Sequence, residues 1–117
     1  MQIVTMGAVL AMALVGCATT TTDNRLVLSG YDYIDQGDWS AAERELNSAL
    51  DVNPDNPYAL LNLGVVYENT GRPGDARDMY ERVIKSKSNA VASRSTVDAE
   101  RGEKLTGIAT RNLETLR

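Results

Sequence analysis

From Trp39 to Val52 the apolar residues Ala42, Leu46, Ala49 and Leu50 fall at spacings that keep them on one stripe of a helix. The same reading predicts a helix over about Asn24 to Gln36, closed by a turn at Gly37-Asp38. Asn53-Pro54-Asp55-Asn56-Pro57 is dense in turn formers and divides the chain there. A third helix is expected over Pro57–Asn69, with Asn56 placed to cap it and proline tolerated at its first position. A fourth starts at Pro73 and continues to about Ser86. Periodicity is then lost from Lys85 to Thr96, where Ser, Asn and Lys dominate, and a loop is predicted. Leu105, Ile108, Ala109, Leu113 and Leu116 restore a 3.6-residue period near the end. Five helices and no strands follow, so the chain is expected to be all-α.

The helices repeat. Gly30, Tyr33, Gly37, Ala42 and Leu46 recur 34 residues later as Gly64, Tyr67, Gly71, Ala76 and Tyr80. A period of this size marks a chain made by stacking one unit, here a helical hairpin. Gly30 and Gly64 fall midway along the first helix of each unit, where a missing side chain admits the second helix. Tyr33 and Tyr67 lie one turn further on the same face. Gly37 and Gly71 stand where a helix must stop, and glycine tolerates the left-handed backbone of a C-cap.

At these residues the chain resembles the tetratricopeptide repeat family. The first unit carries Gly30, Tyr33, Gly37, Trp39, Ala42, Leu46, Ala49 and Pro54 in the family's order, and the second Leu63-Gly64, Tyr67, Gly71, Ala76 and Tyr80. Departures are Ser29, Pro73 and Ser88, where leucine, an aromatic and the closing proline are usual. The resemblance implies a short α-solenoid of two such hairpins, residues 23–56 and 57–88, followed by a loop at 89–97. The segment 98–117 lacks the Gly and Tyr of a third unit and is expected to be a C-terminal capping helix, because a stack needs an atypical element to cover its apolar end.

The residues from Ile3 to Gly16 are almost wholly apolar and uncharged. That is too short for a membrane-spanning helix, which needs about 20 apolar residues, but it suits the apolar region of a secretory signal peptide. No Lys or Arg precedes it. Leu14-Val15-Gly16-Cys17 follows, and Cys17 is the single cysteine, so no disulfide can form within the chain. The tetrapeptide resembles the bacterial lipobox. The resemblance implies a signal peptide at 1–16, lipid (palmitate-type acyl) attachment at Cys17, a mature chain of 17–117 and a lipidated tether at 17–22. Ala18, where aspartate would retain a lipoprotein in the inner membrane, implies an outer-membrane lipoprotein facing the periplasm. The alternative reading of Cys17 is a small buried hydrophobe.

Composition narrows the function. The formal charge of −4 argues against nucleic acid, which needs a basic face. Residues 23–90 hold twelve acids against seven bases, which suits either a basic partner or ordinary solvated helix faces. With no histidine and one cysteine, the commonest general base, zinc ligand and thiol nucleophile are missing. Asp32, Asp35 and Asp38 gather at a helix end, where solvated acids are the expected reading. No enzyme activity, cofactor or metal is expected.

By position in the repeat family, the concave face would comprise Val27, Tyr31, Ile34, Tyr58, Leu61, Val65 and Glu68. It is apolar and partly aromatic, which suits an amphipathic helix or extended peptide. The leading expectation is a lipid-anchored adaptor or scaffold that binds a protein or peptide partner at the bacterial cell envelope, as in assembly of a pilus, secretion or other surface complex. The alternative is a self-associating structural periplasmic protein, a homo-oligomer, whose groove is filled by its own Leu105–Leu116 helix.

Overall fold

The computed structural model describes residues 21–92 and 102–116. They form five helices: α1 (Thr22–Asp35), α2 (Trp39–Val52), α3 (Pro57–Asn69), α4 (Pro73–Ser86) and α5 (Leu105–Thr115). α1 packs on α2 and α3 on α4 as two successive hairpins, α3 rests on the first hairpin, and α5 lies against α4 and α3. The protein is thus a short all-α solenoid with a C-terminal helix on its open end.

Local chemistry sets each boundary. Gly37 and Gly71 adopt φ of +76° and +74°, a backbone that costs other residues dearly and glycine little. Each glycine lets the chain turn back so that the amides of Asp38 and Arg72 reach the carbonyls of Tyr33 and Tyr67, both at 2.9 Å. The carboxylate of Asp38 then accepts from the amide of Ala41 at 3.1 Å and caps α2. Asn56 caps α3, accepting from the amides of Tyr58 and Ala59.

Two apolar clusters hold the helices together. The first joins Val27, Ala42, Leu46 and Ala49 to Ala59, Leu63 and Val66 of α3. The second joins Leu60 and Leu61 of the same helix to Ala76, Tyr80 and Val83, and reaches Leu105, Ile108 and Ala109 of α5. α3 therefore buries two sides, which explains its nearly all-round apolar sequence. Each large side chain so buried contributes roughly 1.5–3 kcal/mol. Gly30 and Gly64 sit in the hairpin seams: a Cβ on Gly30 would stand 2.6 Å from Cγ of Leu46.

The structure moves two boundaries. α1 begins at Thr22, inside the span expected to be tether, and ends at Asp35. The C-terminal helix starts at Leu105 rather than at 98. Gly102 has φ of +84°, and residues 103–105 are paired with 90–92 instead of coiled. The amide of Ala92 donates to the carbonyl of Glu103 (2.9 Å), that of Gly102 to Ala92 (2.7 Å) and that of Leu105 to Ala90 (2.9 Å). Part of the expected loop is thereby an antiparallel contact centred on Val91 and Lys104, and it delivers the chain to α5 with Ala92 buried.

Candidate functional site on the inner face

α1 and α3 are the first helices of their hairpins, and equivalent positions on them are 34 residues apart. Val27 pairs with Leu61, Tyr31 with Val65 and Ile34 with Glu68. Within each helix these residues lie three or four apart and share one face.

The structure divides the seven expected contact residues into two sets. Val27 and Leu61 are each 7% exposed, so they belong to the core and not to an open groove. Val27 packs among Ala59 and Leu63, and Leu61 among Leu105, Ile108 and Ala109. The cause is shared: this repeat position faces the next helix in the stack, whichever helix that is. Ile34 is half-buried against the first cluster, and Tyr58 bridges both clusters. The Tyr58 hydroxyl donates to the carbonyl of Val91 at 3.0 Å, so the residue 90–92 segment closes that end of the face. Tyr31 and Val65, half-buried, and Glu68, exposed, remain as its accessible part.

Glu68 is unusual among the carboxylates. Burial pushes its pKa up, and a hydrogen bond from the Tyr80 hydroxyl opposes this only in part. That bond is long, at 3.5 Å. Cys17 lies outside the described residues. Among the described residues no group of acids could hold a metal ion, and no helix is long and apolar enough to cross a membrane.

The family model of the tetratricopeptide repeat matches residues 27–91, more than half of the chain. The protein belongs to the tetratricopeptide repeat family. No solved structure matches the chain. Tetratricopeptide repeats typically bind protein partners, and the fold is generally a non-catalytic scaffold; both statements carry over to this member at that level.

Two features that join the tetratricopeptide units went unread in the sequence. Asp23 is buried at the start of α1 and accepts from Nδ2 of Asn53 (3.1 Å) and of Asn56 (2.8 Å). Asn56 also donates to Oδ1 of Asn24 at 3.1 Å. Hydrogen bonds from Thr21, Asn56 and Asn53 outweigh burial and hold the Asp23 carboxyl down to about 2. On the other side, Arg72 meets Glu43 of α2 with both terminal nitrogens, Nη1 at 3.2 Å from Oε2. Its guanidinium also stacks 4.5 Å above the Tyr67 ring. Asn53 was visible only as a turn former and Asn56 as a turn former and helix cap, and nothing in the spacing joins Asp23 to a residue 33 positions away.

Proposed function

We propose that this protein is a lipid-anchored adaptor that docks a protein partner at the bacterial cell envelope. The observation that carries the docking half is the inner face, where Tyr31, Val65 and Glu68 stay accessible in equivalent rows of consecutive repeats while the core positions beside them are filled. The anchoring half is supported by the sequence. Leu14-Val15-Gly16-Cys17 follows an apolar stretch, and acylation at Cys17 would add membrane signals strong enough for stable attachment. Ala18 favours the periplasmic leaflet of the outer membrane. In that place a small repeat protein suits the assembly of a pilus, a secretion channel or another surface complex.

Site-specific photocrosslinking in intact membranes tests the docking half, with the crosslinker at Val65 and a Tyr31→Ala, Val65→Ala double variant as control. A defined adduct at Val65 that is lost in the folded double variant is expected. Adducts only between copies of this chain would replace the adaptor reading with self-association. Cys17→Ser tests the anchor separately. A variant that stays membrane-bound, with mobility unchanged from the native chain, would remove lipidation from the proposal.

A further inference from the structure

The two junctions of the stack are built differently. α3 joins the first hairpin through an apolar contact and two polar ties, the buried Asp23 carboxylate holding Asn53 and Asn56 and the pair of Glu43 with Arg72. One period of 34 residues later, Asp23, Asn53 and Asn56 become Pro57, Lys87 and Ala90, and Glu43 and Arg72 become Arg77 and Thr106. Pro57 carries no carboxylate and Ala90 no amide, and an arginine with a threonine forms no ion pair. α5 instead joins the second hairpin through Leu105, Ile108 and Ala109. Two exposed bonds to backbone carbonyls assist: the Tyr58 hydroxyl to Val91 at 3.0 Å, and Nη2 of Arg77 to Leu116 at 2.9 Å. The backbone pairing of 90–92 with 102–105 lies within the connection to α5 and fastens nothing to the hairpins.

α5 is also marginal by its own chemistry. It has 11 residues, and Lys104 at its N-cap makes no side-chain bond to the first turn. Gly107 lies inside it. Isolated helices shorter than about 12–15 residues are barely stable in water, so α5 is helical because it is docked. Elements held by exposed hydrogen bonds and a small apolar contact open before the rest of a protein unfolds.

We infer that α5 is a displaceable lid. It leaves the stack while both hairpins stay folded, and the face it uncovers, formed by Leu60, Leu61, Ala76, Tyr80 and Val83, receives α5 of a second copy of this chain. The first hairpin shows that such a face accepts a helix, since Val27, Ala42, Leu46 and Ala49 seat α3. α5 is the helix whose side chains already fit the second face. A copy's α5 re-forms the same contacts, so exchange between molecules adds only the cost of association. The inference stands apart from the docking reading above, because neither Tyr31 nor Val65 takes part in it.

The test uses the full-length chain in detergent. In native-state hydrogen exchange, the amides of α5 are expected to exchange at least about tenfold faster than those of α3. Equal protection of the two helices would mean that α5 opens only with the whole stack, and would overturn the lid. Two variants then separate the lid from its seat. Ile108→Asp disables α5 and leaves the face intact, while Leu61→Asp disables the face and leaves α5 intact. Circular dichroism of each is expected to show the loss of no more than α5, and global unfolding of either would also overturn the lid. Labelled with donor and acceptor fluorophores and mixed, the two variants are expected to pair, one supplying the face and the other the helix. Energy transfer should then exceed that of either variant mixed with itself. Transfer no higher than those two backgrounds would overturn the exchange between copies.

Discussion

Gly64 and Tyr80 share one volume: a Cβ on the glycine would overlap the tyrosine ring across the α3–α4 seam. The ring is fully buried and has no other place to go. Gly64→Ala is therefore expected to destabilise the protein by about 1–3 kcal/mol through overpacking. For a domain of this size that lowers the melting temperature by roughly 4–8 °C per kcal/mol. Tyr80→Leu should recover part of the loss, since leucine is what the first unit uses at the equivalent Leu46. Gly30→Ala should cost less than Gly64→Ala, because a branched aliphatic chain can rotate where a ring cannot. Thermal melts of the single and double variants measure all three.

Leu61 and Val65 are one helical turn apart, yet they predict different phenotypes. Leu61 closes the contact between α3 and α5, so Leu61→Ala is expected to cost about 2–4 kcal/mol. Val65 is half-buried on the open face, and Val65→Ala should cost less than about 1 kcal/mol while weakening partner binding. Urea denaturation alongside a binding assay separates them. Equal stability losses would mean that the cap does not rest on Leu61.

Asp23 predicts an acid limb of stability. Its folded pKa lies at about 2 against an ordinary value of 3.8. A carboxylate whose pKa is depressed on folding stabilises the native state above the unfolded value, and that contribution is lost as pH falls through the folded one. Melting temperature should therefore drop between pH 4 and pH 2. Asp23→Asn should start lower at neutral pH and show a shallower drop over the same window. A native chain and variant with parallel profiles would show that Asp23 contributes nothing there.

Gly107 lies within α5, where a Cβ would come 3.1 Å from Oε1 of Glu103. That neighbour is the flexible end of a side chain paired with Arg111 at 2.9 Å, and it can give way. Gly107→Ala is thus expected to stabilise the protein by about 0.5–1 kcal/mol through helix propensity. Hydrogen exchange in α5 should slow accordingly.

The hairpins were legible because their constraints are local or recur at a fixed interval. Gly37 and Gly71 stop helices by backbone geometry alone, and Gly30 and Gly64 face partners fixed by the repeat. The start of α5 was not legible. Residues 102–104 can continue a helical pattern on paper, and only pairing with Ala90 and Ala92 draws them into extended backbone. Leu61 failed as a groove residue for a similar reason. Its helical face is evident in the sequence, but the arrival of Leu105 and Ile108 over it is a tertiary event. The link from Asp23 to Asn53 and Asn56 depends on how two hairpins stack, and no short-range pattern encodes that.

The bonds from Asp23 to Asn53 and Asn56 also set how the molecule bears tension. A pull on the chain ahead of Thr22 enters at the first turn of α1, which alone would peel from its neighbours one turn at a time. Here the load passes at once to the turn between the hairpins and, through Asn56, to the amides that begin α3. Force applied at the N-terminus is therefore shared by both repeats from the outset, and the stack resists as one body instead of unravelling from the end that is pulled.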